Sequence, residues 1–454
     1  MQSKIKGPES LLILLVMLII LGSGVIGAGL TPNTPVLLVI GLLVGWLFLR
    51  GYSWDEITNG IKDGITTAIV PIFIFLLIGT LIAVWIQAGI IPSLMVFGFH
   101  LISAQWFLPS VFIVCSLVGL AIGSGFTTIA TVGIALFGMG SALHINPAIT
   151  AGAIISGAIF GDKMSPLSDS TNLASAVAES ELFAHIKNMM WSTIPAFIVS
   201  LVLFTLLGFG NHANAASGIN DTVKVLTTHF PVNGWAAIPV ILMFVTAWLK
   251  IPAIPTLFLN IFVSLGMIAW ENPLSLSKLA TLIESGYVSH TGNKMVDALL
   301  TRGGISNMMG TISLIIMTLA LGGMLMHSGI IQNAMEPLVK HLNHAGSLIT
   351  TTILAGIGVN LFVGEQYLSV ILPGNAFKDA FKRIKLDPLA LSRTLEDGGS
   401  VINYLIPWGV AGSFAASMLN TPVLAFLPFV FFSLFSPVFS ILSAFTGIGL
   451  KKLK

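Results

Sequence analysis

Long uninterrupted apolar stretches dominate this chain and constrain its fold more than any other feature of the sequence. The clearest are residues 11–21, 69–86, 194–207 and 423–435. With their apolar neighbours they reach the roughly 20 residues that an α-helix needs to cross the hydrocarbon core of a bilayer. Only 8% of the 454 residues are charged, against roughly a quarter in soluble domains. The chain is therefore predicted to be an all-α polytopic membrane protein embedded in a lipid bilayer.

The hydropathy pattern predicts ten membrane crossings, at residues 11–30, 35–50, 67–88, 147–178, 188–209, 234–250, 253–270, 303–327, 388–418 and 421–446. Two further apolar stretches, 106–142 and 346–380, contain Gly, Thr and Pro near their middles and are interpreted as re-entrant hairpins. Ten crossings place both termini on one side, and fourteen of the twenty Lys and Arg residues then lie on that side, against four on the other. Because positive residues collect on the cytoplasmic side, both termini are predicted to be cytoplasmic.

The sequence also predicts two inverted structural repeats, each with a re-entrant hairpin and a broken transmembrane helix. At an offset near 240, Gly89 aligns with Gly329, and Pro166 aligns with Pro407 at one residue more. Five crossings separate the two copies of the repeat, and an odd number inverts one copy relative to the other. Inverted repeats with interrupted helices are typical of secondary transporters. The predicted division is an N-terminal transmembrane helix (1–34), a first repeat (35–209), a linker and connecting helix (210–252), a second repeat (253–446) and a basic cytoplasmic tail (447–454).

The most polar stretch at membrane depth has the sequence GDKMSPLSDSTN and covers residues 161–172. Pro166 has no N–H and therefore interrupts a continuous helix, and irregular backbone at this depth survives only where it is buried or lines a wet cavity. The free carbonyls, hydroxyls and carboxylates of such a break are ligands suited to a small hard cation. We predict a site for Na⁺ or H⁺ with Asp169 as the principal Na⁺ ligand, Asp162 as a ligand or proton carrier, and further contributions from Ser165, Ser168, Thr171 and Asn172.

Other polar residues at membrane depth are candidates for the same site. Acidic residues inside a membrane are costly and are functional by default, although a structural ion pair is the alternative for each of them. The additional cation or proton ligands are Glu365, Glu396, Asp397 and Asn403, and the hairpin middle at Ser124, Thr127 and Thr128 supplies further oxygens unless it forms only a turn. Lys163 and Arg393 are the internal cations. Arg393 either neutralises an acid three or four residues further along its helix, or it competes with the cation or meets the carboxylate of an organic substrate.

The run GDKMSPLSDSTNLA, from Gly161 to Ala174, resembles the signature of the NhaC family of bacterial Na⁺/H⁺ antiporters. The resemblance extends from residue 35 to Ser413 and includes the stretches RTLEDG and LIPW around Asp397 and Pro407. It implies two re-entrant hairpins, two broken helices, often a homodimer, and a place in the bacterial plasma (inner) membrane. The same family includes exchangers of malate and protons against sodium and lactate.

Several other classes of function lack their usual residues in this sequence. No H-E-x-x-H or G-x-S-x-G motif is present for zinc or serine hydrolysis, and no G-x-x-x-x-G-K-[ST] motif for an ATP site. The net charge of +2 does not indicate a nucleic-acid partner. We therefore predict a secondary active transporter, not an enzyme, that exchanges Na⁺ for H⁺ by alternating access and needs no cofactor. The alternative is a Na⁺-coupled organic-anion exchanger, for which Lys163 or Arg393 has to face the substrate.

Overall fold

The computed structural model describes residues 5–101, 103–209, 215–339 and 342–452, and within these ranges all regular structure is helical. The ends of the predicted N-terminal and tail regions (1–4 and 453–454) and part of the predicted linker (210–214) lie outside them. The first half contains helices α1 (Gly7–Gly22), α2 (Asn33–Leu49), α3 (Trp54–Thr66), α4 (Ile69–Gln87), α5 (Ile90–Leu101), α6 (Phe107–Ile122), α7 (Gly125–Thr128), α8 (Ile134–Ala142), α9 (Pro147–Met164), α10 (Asp169–Ala178), α11 (Leu182–Gly208) and α12 (Ala215–His229).

The second half contains helices α13 (Ala237–Trp248), α14 (Ala253–Glu271), α15 (Leu276–Ser285), α16 (Lys294–Leu300), α17 (Ile305–His327), α18 (Ile330–Val339), α19 (Ala345–Val363), α20 (Gln366–Arg383), α21 (Pro388–Leu395), α22 (Val410–Met418), α23 (Val423–Phe426) and α24 (Phe431–Thr446). Three π-helical turns interrupt or extend these helices, at Ser23–Gly27, Ile129–Gly133 and Glu396–Ser400. Such turns are rare and occur mostly at functional sites.

The predicted all-α membrane architecture is confirmed. Within the described ranges eight helices are long and apolar enough to cross a membrane, and the number rises to eleven if each of three bent pairs is one span. One bent pair joins Pro388–Leu405 to Val410–Met418 at 43°, which is the broken helix predicted at 388–418. In the span predicted at 147–178, α9 and α10 are likewise separate helices.

Several short helices, α3, α15 and α16 among them, were not predicted, because none has the continuous apolar run of a crossing. Helix α3 begins with a capping box in which the Ser53 side chain and the Glu56 side chain each accept a hydrogen bond from the other residue's backbone amide. It packs against α17 at backbone distance, since a Cβ at Gly64 would come within 2.0 Å of the Leu319 carbonyl oxygen. Only glycine permits this approach, which fixes the amphipathic α3 against a membrane helix.

Close packing between α6 and α9 brings the first hairpin to the first broken span. A Cβ at Gly161 would lie 2.4 Å from the amide nitrogen of Leu120, and one at Gly157 would lie 2.5 Å from the Phe112 carbonyl oxygen. The turn that follows α6 therefore lies directly beside the end of α9. This contact positions the residues of the candidate site.

Local backbone features recur between the halves at an offset of 241. Helices α6 and α19 both end at a left-handed glycine, Gly123 with φ 72° and Gly364 with φ 67°. Asn146 and Asp387 each cap a helix that starts with proline, and each side chain accepts a hydrogen bond from the amide two residues further on. This recurrence is what a repeat requires, and the inverted repeat and its domain boundaries stay predictions.

Candidate functional site

The first helix break, between α9 and α10, is held together by side chains that take up the freed carbonyls. The Thr171 hydroxyl donates to the carbonyl oxygens of Lys163 at 2.9 Å and Asp162 at 3.4 Å. The Asn172 amide donates to the carbonyl oxygens of Pro166 at 3.0 Å and Ser168 at 2.7 Å. Pro166 thus interrupts the helix as predicted. The Thr171 and Asn172 side chains both stabilise this break through hydrogen bonds, independently of any contact with a cation.

The two carboxylates of the break line the same cavity and have different hydrogen-bonding neighbours. Asp162, on the last turn of α9, is half-buried and faces the Gly125 amide and the Ser168 hydroxyl. Asp169 is the first residue of α10, and its exposed side chain meets the Tyr367 hydroxyl. Glycine at position 125 leaves room for Tyr404, because a Cβ there would lie 2.8 Å from the Tyr404 hydroxyl, whereas it would stand at ordinary contact distance, 3.5 Å, from the Asp162 carboxylate.

Both hairpin turns point their helix N-termini at this space. After Gly123, Ser124 caps α7 by accepting a hydrogen bond from the Thr127 amide at 3.3 Å. After Gly364, Glu365 caps α20 by accepting one from the Leu368 amide at 2.9 Å. Caps of this kind satisfy the free amides of a helix start. The capping role explains both residues structurally, and it also fixes a buried carboxylate at the tip of the second hairpin.

The second break places an amide opposite the first. Asn403 lies just before Ile406–Gly409, and its side-chain nitrogen donates to the Asn360 side-chain oxygen at 2.7 Å. Asn360 in turn donates to the carbonyl oxygen of Gly399 at 2.7 Å. Asn403 is almost fully buried, and its side-chain oxygen has no hydrogen-bond partner among the described residues. An acceptor is therefore available at this position.

A cavity of about 790 Å³ joins these elements. Its exposed mouth lies at Thr67 and at the turn between α13 and α14 around Lys250. Eight of the predicted site residues line it: Ser124, Thr127, Asp162, Ser168, Asp169, Asn172, Glu365 and Asn403. Seven do not line it: Thr128, Lys163, Ser165, Thr171, Arg393, Glu396 and Asp397. The structure therefore brings three carboxylates from both halves of the chain to one cavity, while the other charged residues predicted for the site lie outside its lining.

The buried charged residues outside the cavity lining include an ion pair that the sequence did not predict. The Lys163 ammonium forms an ion pair of 2.6 Å with Asp397, although Arg393 was the expected partner of a neighbouring acid. Arg393 is fully buried and donates to the Ser443 hydroxyl at 2.9 Å, and no ion pair joins it to Glu396 or Asp397 within the described ranges. The π-helical turn that starts at Glu396 changes the rotation per residue, so the spacing rule for a regular α-helix does not apply there.

Glu396 and Asp397 are fully buried and do not reach the cavity. The Glu396 carboxyl faces the Ser400 hydroxyl, whereas one oxygen of Asp397 accepts from both Lys163 and Ser436. Asp397 thus has the cationic partner of a structural ion pair, which is the alternative that the sequence left open for it. The role of both acids as ligands stays a prediction.

Aromatic residues that the sequence did not single out form a cluster beside the cavity, which Phe75 and Phe126 line. Phe75 stacks on Phe414 with ring centroids 4.9 Å apart, and Phe126 lies 5.1 Å from Phe414 and 5.5 Å from Tyr404. Offset and edge-on contacts of this kind stabilise aromatic clusters. Tyr367 was also missed, although it follows Glu365 by two residues and is one of only four tyrosines in the chain.

Outside the membrane-spanning segments, one ion pair ties the two halves together beside the site. Glu179 follows α10 and contacts Lys378 of α20 at 2.6 Å and Lys382 at 3.8 Å. The hydrogen bond from Lys378, together with the charges of both lysines, lowers the pKa of Glu179. The arm that follows the first break and the arm that follows the second hairpin turn therefore lie side by side.

The site can coordinate a cation only through mixed oxygen ligands. Within the described ranges no three His, Cys, Asp or Glu side chains come together as a cluster of metal ligands. The cavity offers carboxylates together with hydroxyl and amide oxygens, which are the ligands of hard monovalent and divalent cations. The arrangement suits a transported cation that binds and leaves.

The chain is similar to known transporters over its whole length. The profile of the Na⁺/H⁺ antiporter family matches residues 9–171 and 157–448. The Na⁺/H⁺ antiporter NhaC of Alkalihalophilus pseudofirmus is 38% identical over 455 aligned positions, which cover 100% of this chain and 98% of that protein. The arginine/ornithine antiporter ArcD of Halobacterium salinarum is 34% identical (97% and 92% covered), and the malate-2H⁺/Na⁺-lactate antiporter of Bacillus subtilis is 31% identical (90% and 89% covered).

Proposed function

The chain belongs to the Na⁺/H⁺ antiporter family, and from this we propose that it exchanges Na⁺ for H⁺ across the bacterial plasma membrane by alternating access. The relatives reported above are transporters by name. The many apolar helices make this chain a multi-pass membrane protein of the same kind. It acts without a resident cofactor, since Na⁺ and H⁺ are its substrates.

The observation that supports the proposal is that Asp162, Asp169 and Glu365 all line one cavity. Each is placed by a helix break or a hairpin turn, where the backbone is irregular and the cavity is open to water. Carboxylates at such a place can bind either a cation or a proton, and binding one removes the negative charge that attracts the other. A single site that holds Na⁺ or H⁺ in turn is sufficient for an obligatory exchange. Asp169 is the principal Na⁺ ligand, and Asp162 is a second ligand or the proton carrier.

The cavity also favours an inorganic cation over an organic anion. A substrate carboxylate needs a fixed positive group or a helix N-terminus near it. Of the Lys and Arg side chains in the described ranges, Lys250 alone lines the cavity, and it lies at the exposed mouth. Lys163 and Arg393, on which the alternative depended, face away from it. The two helix N-termini at the cavity are already capped by side-chain oxygens, of Ser124 and of Glu365. Three carboxylates without an internal cation would therefore repel malate or lactate.

The orientation of the protein follows from its positive residues. The cavity mouth lies at the turn of Lys250 and at Thr67, near Lys62, on the side where most Lys and Arg residues collect. With that side cytoplasmic, the conformation is inward-open and both termini are inside. Cysteines introduced at Lys62 and Lys382 are expected to resist an impermeant thiol reagent in intact cells, and one at Asn272 is expected to react. Labelling of the first two would reverse the assigned orientation.

Exchange is tested directly with purified protein in liposomes. An inward Na⁺ gradient is expected to drive protons out, which a trapped pH indicator records, and Asp169→Asn is expected to abolish the signal. Malate, lactate, arginine and ornithine, each added with and without Na⁺, test the substrates in the names of the relatives. Proton movement that requires one of these organic substrates, or that proceeds without Na⁺, would contradict the proposal.

A further inference from the structure

We propose that Asp397 is a positioning residue for the cation site, because it holds the Lys163 ammonium away from Asp162 and so leaves that carboxylate free for Na⁺. The inference rests on the proposed function, since it concerns the same site. It also gives a role to the most deeply buried ion pair of the described chain, which the exchange mechanism does not otherwise use.

The sequence places a lysine directly after a carboxylate of the cation site, and the ion pair with Asp397 keeps the two side chains apart. Lys163 follows Asp162 directly, and a lysine has a flexible four-carbon stem with a compact charge at its end. An ammonium group beside Asp162 would neutralise the carboxylate and repel an incoming cation. Adjacent residues on a helix point about 100° apart, which separates the two side chains only if something holds the lysine on its own side.

In the structure the Lys163 ammonium is held in place by three hydrogen-bond partners. The Lys163 ammonium donates to Asp397 at 2.6 Å, to Ser436 at 2.9 Å and to Ser192 at 3.2 Å. An ammonium group has three N–H donors, so these partners use all of them. The side chain is 1% exposed, and the Phe432 ring lies 5.8 Å from the ammonium nitrogen. Asp162 meanwhile faces Gly125 and Ser168 on the cavity side.

Asp397 itself is built as a charge partner and not as a ligand. One of its oxygens accepts from both Lys163 and Ser436, each at 2.6 Å. Its side chain is fully buried and does not line the cavity. The π-helical turn Glu396–Ser400 directs it toward α9, so the second broken span supplies the counter-charge for a residue of the first. Removal of this carboxylate leaves Lys163 with no opposite charge in its hydrogen-bonding shell.

The test measures Na⁺ affinity from the Na⁺-dependent rise in melting temperature of detergent-purified protein, with choline chloride as the ionic-strength control. For Asp397→Asn we expect Na⁺ affinity to fall by about tenfold or more, because the ammonium of the residue that follows Asp162 loses its ion-pair partner and is no longer held away from that carboxylate. For Lys163→Gln we expect unchanged or tighter Na⁺ binding, and for the double variant an affinity near that of the wild type. Asp387→Asn is the matched control: it removes a carboxylate from the same span while Asn keeps the helix cap.

The direction of the two single effects separates positioning from simple support of the fold. If the ion pair only stabilised the protein, both single variants would weaken Na⁺ binding alike, and the inference would be wrong. It would also be wrong if a folded Asp397→Asn protein bound Na⁺ as the wild type does. Breaking a buried pair is strongly destabilising, so if Asp397→Asn does not fold, Lys163→Gln and the double variant decide: loss of Na⁺ binding in either folded protein overturns the inference.

A different outcome would count against the proposed function alone. If the wild-type protein gains no thermal stability from Na⁺ at any concentration, there is no Na⁺ site to be protected. If the wild type is stabilised and the variants behave contrary to expectation, exchange stands and the role of Asp397 falls. The two failures are therefore distinguishable in the same experiment.

Discussion

Replacement of Asp169 by asparagine removes one charge from the cavity and changes little else. The residue is exposed and stands at the first position of α10, and asparagine keeps the size and an oxygen that can accept from the Tyr367 hydroxyl. Loss of an acid from a first helical turn costs about 0.3–1 kcal/mol in folding stability. The variant is therefore expected to fold and to unfold within a few degrees of the wild type.

The effect on Na⁺ binding is expected to be much larger. A unit charge about 4 Å from the ion contributes about 1 kcal/mol in bulk water and about 4 kcal/mol near a protein surface. Asp169 lies in a water-accessible cavity between these limits. Since each 1.4 kcal/mol is tenfold in affinity, Asp169→Asn is expected to weaken Na⁺ binding by about tenfold to about a thousandfold and to abolish exchange at ordinary Na⁺ concentrations.

Thermal unfolding in a Na⁺ series measures both effects in one experiment. At a concentration about 100 times the wild-type Kd, Na⁺ stabilises the folded protein by about 2.7 kcal/mol, and a variant that binds 100-fold more weakly gains only about 0.4 kcal/mol. Asp379→Asn, an exposed acid of α20 away from the cavity lining, controls for net charge. If folded Asp169→Asn is stabilised by Na⁺ as strongly as the wild type, Asp169 is not the ligand.

Three further changes probe the same cavity. If protons and Na⁺ compete for the carboxylates, the apparent Kd for Na⁺ measured by thermal shift rises as pH falls through their pKa; a Kd constant between pH 6 and 9 would instead indicate a separate proton path. Tyr367→Phe removes the hydroxyl that faces Asp169 and is expected to shift the pH dependence of exchange while folding stays intact, which a pH profile in liposomes checks. Gly123→Ala places a Cβ on a residue with φ 72° and only 2.8 Å from the Cβ of Leu167, so we expect the free energy of unfolding to fall by about 1–3 kcal/mol. The control Gly51→Ala has a similar φ of 79° but open space around it, and it is expected to lose only the cost of the backbone conformation.

Local chemistry made much of this site predictable. Pro166 and Pro407 predicted the two helix breaks, because a residue without an N–H cannot continue a regular helix. Gly123 and Gly364 marked the hairpin turns, and the carboxylates at Asp162 and Asp169 were conspicuous at membrane depth. Each of these signals lies within a few residues of the feature it produces. The homodimer that the family resemblance implies stays a prediction.

Contacts between distant segments could not be read from the sequence. Lys163 and Asp397 are 234 residues apart, and no rule of helix spacing relates them. One of the two predictions for Arg393 rested on such a rule, which describes a regular α-helix and not the π-helical turn that begins at Glu396. Glu396 was predicted as a site residue from its membrane depth and from the family resemblance, but tertiary packing decides which side of a helix meets the cavity.

The aromatic cluster beside the cavity has a consequence for how tightly the protein couples its two substrates. Phe75 and Phe126 come from the first half of the chain, and Tyr404 and Phe414 come from the second. An opening through this cluster has to part rings that belong to different halves, so it requires a relative movement of the halves and not the rotation of one side chain. A cluster of apolar rings also resists the passage of a hydrated ion, because the ion would have to lose its water there. The proton gradient that the cell maintains at metabolic cost is thereby protected from a futile leak through its own exchanger.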